Sequence, residues 1–173
     1  MSSSVLFLSL LVIARAFAGE GGVDLDLPNI QHPQENRIVS GAIDAADIGH
    51  LRAAGIEHLI NLRTKEESAG LDEALVAGGL GIDYHWIPIR GAESLTLENA
   101  QMLDAALADA GDELTLVHCG SGNRVGALIA VRETWIRHRS IEDAIAEGKR
   151  WGLTSLEASV RSLLQEGARP KPE

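Results

Sequence analysis

The feature that most constrains this chain is a short run in which an apolar segment ends at its single cysteine. Residues 114–118 (LTLVH) have the composition of a buried β-strand, and Cys119 follows them directly. Two glycines separated by one residue come next, and Arg124 then opens a segment with helical character. A cysteine at the end of a strand, followed by Gly-x-Gly-x-Arg and a helix, favours a functional loop over an ordinary buried cysteine.

The backbone of this loop is suited to binding an anion. Gly120 and Gly122 allow the turn to curl, so that successive backbone N–H groups point into one concavity. The helix that begins near Arg124 adds the positive end of its dipole. Cys119 would lie at the floor of this concavity, where the converging donors favour the thiolate over the thiol.

The side chains of the loop fit the same purpose. Arg124 can direct two N–H groups onto one oxyanion. His118 precedes the cysteine and can hold loop carbonyls or tune the thiolate. Ser121 and Asn123 can either brace the loop or donate hydrogen bonds to the ligand. We therefore regard the loop residues Gly120, Ser121, Gly122, Asn123 and Arg124 as the candidate anion-binding group.

Predicted strands alternate with predicted helices along the rest of the chain. This order predicts an α/β domain with a mainly parallel central sheet flanked by helices. We expect one domain, residues 36–168, preceded by a lead-in segment (19–35) and followed by a loose tail (169–173). The strands are predicted at 37–40, 56–62, 84–89 and 114–118, and the helices at 44–54, 71–77, 96–110, 124–138, 141–151 and from 154 or 155 to 167.

The first residues are typical of a signal peptide. Residues 5–14 form an apolar run too short to span a bilayer, and Ala-Phe-Ala at 16–18 is a small-x-small cleavage pattern. We expect cleavage of residues 1–18 and export, to a bacterial periplasm; an intact mass beginning at Gly19 would show it. The alternative is an amphipathic segment or a misplaced start codon, with the protein then in the cytoplasm.

Charge and cysteine content exclude several functions. The 25 acidic residues exceed the 15 lysines and arginines, a net charge of −10, which argues against broad nucleic-acid binding and against docking on anionic lipid. A single cysteine excludes an internal disulfide and a four-cysteine zinc site. No metal and no organic cofactor is expected, since five of the histidines lie at no ligand spacing: His32, His50, His58, His85 and His138.

At this point the sequence resembles the cysteine-dependent phosphatase superfamily, which carries His-Cys-x-x-Gly-x-x-Arg. It resembles more closely the bacterial beta-lactamase-hydrolase-like phosphatase domains, a protein tyrosine phosphatase family. The likeness extends over roughly residues 36–151, and the ordered series of matches is more specific than the loop alone. The matching motifs are RIVSG (37–41), GIEHLINLR (55–63), YHWIP (84–88), LTLENA (95–100) and HCGSGNR (118–124).

The resemblance implies a fold, a reaction and roles for two residues. The fold would be the dual-specificity-like phosphatase fold. Cys119 would be the nucleophile, Arg124 would clamp the phosphate, and a phosphocysteine intermediate would form and be hydrolysed. The substrate would be phosphotyrosine or a small phosphate monoester, so the expected partner is a phosphoprotein or an anionic small molecule.

Three features depart from the family pattern. Four residues separate Cys119 from Arg124, whereas the phosphatase signature has five. Val125 stands where a serine or threonine hydroxyl often helps the thiolate to leave. The loop after the third strand has no aspartate to protonate the leaving oxygen, so Glu93 is the candidate general acid. Arg63, after the second strand, is a further candidate for the anion site.

These departures keep two alternatives open. The four-residue spacing also occurs in rhodanese-type sulfurtransferases, so Cys119 could instead carry a persulfide, because a smaller loop fits one sulfur more easily than a phosphate. The missing hydroxyl and aspartate are also compatible with an anion-binding module of weak catalytic activity.

Overall fold

The computed structural model describes residues 25–167. The predicted signal peptide, the first part of the lead-in segment and the predicted tail lie outside these residues. The described chain forms β1 (Gln31–Gln34), β2 (Arg37–Ser40), α1 (Ala45–Leu51), β3 (His58–Asn61), α2 (Glu73–Gly79), β4 (Asp83–Trp86), α3 (Leu97–Asp109), β5 (Thr115–His118), α4 (Asn123–Trp135), α5 (Ile141–Arg150) and α6 (Glu157–Gln165).

The strands form one five-stranded sheet in the order β1-β2-β5-β3-β4. Strands β2, β5, β3 and β4 are parallel, and β1 alone among the described strands runs antiparallel to its neighbour. The predicted α/β class with a mainly parallel sheet is confirmed. Parallel strands end at one edge of the sheet, so the segments that follow β2, β3, β4 and β5 meet there.

The sheet begins earlier than the sequence indicated, because part of the predicted lead-in segment forms β1. Gln31 pairs with Val39 and Gln34 with Arg37, which adds an antiparallel strand at the edge of the sheet. Its sequence, QHPQ, lacks the alternation of apolar and polar residues from which a strand is recognised. An edge position also tolerates the missing N–H of Pro33.

Helices cover both faces of the sheet, and each strand supplies side chains to both. On β5, Leu116 belongs to the core cluster that also contains buried residues of α1 and α2. Its neighbour Val117 belongs to the opposite cluster, which is formed with α3, α4, α5 and α6. The central strand that precedes Cys119 is therefore buried on both faces and held between β2 and β3.

Helix boundaries follow the local signals in the sequence. Thr96 caps α3 by accepting a hydrogen bond from the N–H of Asn99, and Ser140 caps α5 by accepting one from the N–H of Asp143, as predicted. Five predicted helices extend one to three residues beyond the observed carboxyl ends, because their last residues lie in the turns that follow. The helix predicted at 71–77 is instead observed at Glu73–Gly79, because Asp72 caps its start and the two glycines continue the helix. No helix within residues 25–167 is long and apolar enough to cross a bilayer.

A close approach of two helices fixes the direction of α4. Gly126 lies against the backbone of Gly148 in α5 and of Leu153 in the turn that follows, with no room for a side chain. A Cβ on Gly148 would likewise lie 2.6 Å from the carbonyl oxygen of Gly126. The absence of side chains at these two positions lets α4 and α5 pack backbone to backbone.

We expect Gly126→Ala to lower the free energy of unfolding by about 1–3 kcal/mol, because the new methyl group must displace backbone atoms. Gly49→Ala is the matched control: Gly49 is exposed on α1, with no atom within 4 Å of a Cβ. It should leave stability unchanged or raise it by up to about 1 kcal/mol. Urea unfolding of both variants measures the difference, and equal effects would contradict the packing described.

Candidate active site

Cys119 lies at the carboxyl end of the central strand β5, in the loop that leads into α4. Its side chain is fully buried. Gly122 precedes the helix with φ of 85°, in the left-handed region that favours glycine. Its N–H donates to Cys119 Sγ at 3.1 Å. The predicted contact between a loop amide and the sulfur is therefore present.

The first turn of α4 is braced from one side by Asn123. Its Oδ1 accepts hydrogen bonds from the N–H groups of Thr154 (2.8 Å) and Leu156 (3.3 Å), and its Nδ2 donates to Ser155 Oγ at 2.8 Å. Of the two roles that the sequence left open for Asn123, this is the bracing one. The side chain ties the loop to the segment that leads into α6.

The end of β2 supports the loop from the other side. The carbonyl of Gly120 accepts a hydrogen bond from the N–H of Ala42 at 3.2 Å, and Ser121 forms an isolated bridge with Gly41. A Cβ on Gly41 would lie 3.1 Å from the carbonyl oxygen of Gly120, a tight approach. Both flanks of the loop are thus fixed by neighbouring backbone.

Arg124 forms a bidentate ion pair with a carboxylate of the chain itself. Its Nη1 and Nη2 donate to the two oxygens of Glu67 at 2.7 and 2.6 Å, and Nη1 also donates to the carbonyl of Ile89 at 2.6 Å. Glu67 accepts hydrogen bonds only from the Nη1 and Nη2 end of the guanidinium. The Nε–H and the second N–H of Nη2 form a separate edge, with the fork geometry that matches an oxyanion.

The ion pair determines the charge state of Glu67. The hydrogen bonds from Arg124 lower the pKa of Glu67 to about 2; a hydrogen bond from the N–H of Thr64 acts in the same direction, while burial opposes it. In turn, Glu67 raises the pKa of Arg124, and the sulfur of Cys119 adds to that effect. Glu67 is therefore ionised at neutral pH and has no proton to donate to a leaving group.

His118 is anchored away from the loop carbonyls. Its Nε2 shares a hydrogen bond of 3.0 Å with Glu73 Oε2, and both side chains are buried. Glu73, at the start of α2, also accepts from Ser68 Oγ at 3.4 Å and lies 3.8 Å from Nη1 of Arg63. These contacts connect the residue before the cysteine with the 63–73 segment that carries Glu67.

Arg63 supports that segment. Its Nη2 donates to the carbonyl of Glu67, and its backbone N–H donates to Asn61 Oδ1 at 2.7 Å. The structure thus brings Arg63 to the backbone of Glu67, the residue whose carboxylate holds Arg124, and its participation in the anion site stays a prediction.

The structure places Glu93 on a neighbouring segment. It lies in a short 3₁₀ turn (Ala92–Ser94), is exposed, and its carboxylate folds over Gly91. The same segment contacts the site through Ile89, whose carbonyl accepts from Arg124. Its role as a general acid stays a prediction. Val125 is fully buried and provides no hydroxyl beside the loop.

A cavity of about 830 Å³ opens at the carboxyl ends of β3 and β4. It is bounded by the 65–74 segment and by Asn61, Tyr84 and Trp86, with Trp86 45% exposed. Burial raises the pKa of Tyr84 to about 12, and its hydroxyl accepts from Asn61 Nδ2 at 3.0 Å. Neither Cys119 nor Arg124 lines this cavity; it is connected to the cysteine strand through Glu73, which lines it and is hydrogen-bonded to His118.

Two residues of this site, Glu67 and Glu73, were not predicted from the sequence. Both lie in or after the charged loop that follows β3, and nothing in their spacing indicates a partner 57 or 45 residues further on. The available signal was topological: in a parallel sheet, the segment after β3 ends beside the segment after β5.

A model of the family described as "Beta-lactamase hydrolase-like protein, phosphatase-like domain" matches residues 30–135. This span contains β1 to β5, the cysteine loop and α4. None of the curated proteins compared with the chain matches its sequence.

Solved structures share the fold at low sequence identity. A candidate phosphatase (DUF442) from Shewanella putrefaciens CN-32 is 19% identical, with a TM-score of 0.60 over 82% of this chain and 94% of its own. A candidate phosphatase from Neisseria meningitidis z2491 is 20% identical, with a TM-score of 0.61 over 78% of this chain and 96% of its own. P. aeruginosa TpbA in complex with pTyr is 16% identical, with a TM-score of 0.52 over 86% of this chain and 89% of its own. The expected phosphatase fold is thereby confirmed.

We expect the Glu67–Arg124 pair to stabilise the fold in a pH-dependent way. Because the pKa of Glu67 is lowered from 4.5 to about 2, this stabilisation is fully present above the higher value and is lost as the pH falls through the lower one. Relative to the unchanged chain, Glu67→Gln should lower Tm by a constant amount at neutral and mildly acidic pH, and the difference should shrink toward pH 2.

The matched control is Glu142→Gln, since Glu142 is 76% exposed and pairs with Arg161 at the surface. It should change Tm little at any pH. A Glu67→Gln difference that does not depend on pH would contradict the ionic origin of the effect. Thermal denaturation followed by circular dichroism measures both variants.

Proposed function

The chain belongs to the phosphatase-like domain family of beta-lactamase hydrolase-like proteins, and we propose that it hydrolyses phosphate monoesters with Cys119 as nucleophile. One observation carries the proposal. The buried Cys119 sulfur accepts an amide hydrogen bond from the loop, while Arg124 is held beside it with one N–H edge not taken by Glu67. A thiolate with an adjacent oxyanion fork is the arrangement that phosphoryl transfer to sulfur requires.

In the first step the Cys119 thiolate attacks phosphorus and forms a sulfur–phosphorus bond. The bond between phosphorus and the ester oxygen breaks, and its electron pair stays with the leaving oxygen. Negative charge on the transferred group is offset by Arg124 and by the loop amides, which are fixed before substrate arrives. The bracing of the loop by Asn123 and by the end of β2 therefore contributes to the rate by positioning these donors.

In the second step water attacks the phosphocysteine. A new phosphorus–oxygen bond forms, the sulfur–phosphorus bond breaks, and its electron pair returns to sulfur as the thiolate. The proton that the water gives up passes to the Glu93 carboxylate left by the first step, and inorganic phosphate leaves. Val125 offers no hydroxyl to assist the departure of sulfur, so stabilisation of the thiolate depends on the Gly122 N–H and on Arg124.

The leaving oxygen requires a proton, and we propose Glu93 as the donor. Glu67 is unsuitable because Arg124 keeps it ionised. Glu66 is unsuitable as well, since its pKa is lowered mainly by its own backbone hydrogen bond. Glu93 is exposed and lies on the segment that contacts Arg124 through Ile89.

The substrate class follows from the surroundings of the loop. The cavity at the ends of β3 and β4 presents the half-exposed indole of Trp86, a surface on which an aryl group can stack. The structural relative TpbA was solved with pTyr bound. We therefore propose phosphotyrosine, or a small aryl phosphate, as the substrate of this chain.

A second candidate function rests on the short loop. Only four residues separate Cys119 from Arg124, a spacing suited to holding one sulfur atom, so the alternative is sulfur transfer through a Cys119 persulfide. A binding module of weak activity would retain the anion affinity and lack turnover. All three functions require Cys119 and Arg124, and they differ in the group transferred.

The proposal is tested by assaying the purified chain in parallel with an aryl phosphate and with thiosulfate plus cyanide. We expect turnover of the phosphate only, and its loss in Cys119→Ser. Arg124→Lys keeps the charge but loses the fork, so it should lower kcat by about 100-fold or more without merely raising KM.

The matched control is Arg90→Lys, since Arg90 is an exposed arginine that pairs with Glu66 at the surface. It should leave kcat unchanged. Sulfur transfer without phosphate turnover would replace the proposal by the alternative, and binding of phosphate without either reaction would favour the binding module.

The role of Glu93 is tested with aryl phosphates of graded leaving-group pKa. Glu93→Gln should depress kcat/KM strongly for poor leaving groups and little for good ones, because only the former require a proton in the transition state. Glu98→Gln, an exposed glutamate at the start of α3, serves as the control and should have no such trend. Parallel losses for all esters would remove Glu93 as the acid.

A further inference from the structure

Two histidines that lie 27 residues apart in the sequence meet at the far end of the sheet. His58 begins β3 and His85 lies in β4, where the parallel register sets His58 opposite Asp83 and Ile60 opposite His85. The two imidazoles are diagonal neighbours on one face, stacked with an angle of 15° and centroids 6.3 Å apart. A third group, Asp109, reaches them from the last residue of α3.

The three side chains present ligand atoms to one point. One ligand atom from each of His58, His85 and Asp109 lies within 4.8 Å of the other two. Zinc bonds of about 2.0–2.2 Å require ligand atoms about 3.4 Å apart in a tetrahedron, so the three side chains must move modestly closer together to bind the ion. The Asp109 side chain can make this movement, because it is 68% exposed and its Oδ2 is 3.8 Å from His85 Nε2.

The hydrogen-bond state of the imidazoles points to a ligand. His58 Nε2 is held by Glu113 Oε2 at 2.7 Å, so a neutral His58 carries its proton on Nε2 and has its lone pair on Nδ1. Among residues 25–167, neither that Nδ1 nor His85 Nε2, both buried, has a hydrogen-bond partner. Buried nitrogen atoms without partners are costly unless something else binds them.

A second carboxylate orients the inner imidazole. The Glu113 carboxylate is hydrogen-bonded to His58. The backbone carbonyl of Glu113 accepts a hydrogen bond from Arg37 Nη1 at 2.9 Å, which anchors the turn before β5. The resulting carboxylate–histidine arrangement is the one in which a metal-binding imidazole donates its other N–H to a carboxylate, which fixes the ring and raises its basicity.

From these contacts we propose that His58, His85 and Asp109 bind a divalent transition-metal ion, zinc in the first instance. Two imidazoles and a carboxylate suit Zn²⁺, and water completes the coordination. The ion would join the edge strand β4 and the end of α3 to the inner strand β3. His58 is level with Thr115, four residues before Cys119, so the site is about 13 Å from the reactive sulfur along the strand.

The test is zinc titration of the full chain in competition with a chromophoric chelator. It is made in the Cys119→Ser background, which removes the only thiol as a competing ligand. We expect one equivalent of Zn²⁺ to bind and to raise Tm, because the ion binds only the folded state. His85→Ala and Asp109→Asn should each weaken binding at least about tenfold and abolish the rise in Tm.

Two controls make the outcome decisive. His50→Ala removes an exposed imidazole from α1 and should leave zinc affinity unchanged. Glu113→Gln keeps a hydrogen-bond acceptor but loses the charge, so it should weaken zinc binding about tenfold. Tm without zinc shows that each variant is folded. An absence of saturable zinc binding by the parent chain, or a one-equivalent isotherm that His85→Ala and Asp109→Asn leave unchanged, would overturn the proposal.

Discussion

The close backbone contact between α4 and the turn after α5 is the constraint on which the candidate site depends. Because Gly126 has no side chain, α4 approaches Leu153 directly, and the residues after Leu153 come within reach of Asn123. Asn123 then fixes the first turn of α4, which directs the Gly122 N–H at the Cys119 sulfur. A packing contact in the core thus sets the geometry of the reactive group.

The second element of the site comes from the other half of the sheet. The segment after β3 brings Glu67 to Arg124 and Glu73 to His118, so the residues on both sides of Cys119 are tied to one stretch of chain. Loop and segment support each other through charged hydrogen bonds, which are stronger than neutral ones when partly buried. The arginine is held in place by the protein before any ligand arrives.

Local signals in the sequence were sufficient for the elements that carry the cysteine loop. The apolar run before Cys119, the glycines after it and the capping residue Thr96 each act over a few residues, and the structure has the corresponding strand, turn and helix. Contacts that depend on register could not be predicted in this way. The pairing of Glu67 with Arg124, and of His58 with His85, exists only because parallel strands align segments that are remote in sequence.

The way in which Arg124 is held also bears on how a product would leave. Inorganic phosphate is a mixture of monoanion and dianion at neutral pH, and an unpaired arginine would retain it strongly. Here the Glu67 carboxylate already balances the guanidinium charge, so the emptying site resists a dianion more than an isolated arginine would. Slow release of phosphate is therefore not expected to limit turnover, and accumulated phosphate should be a weak inhibitor.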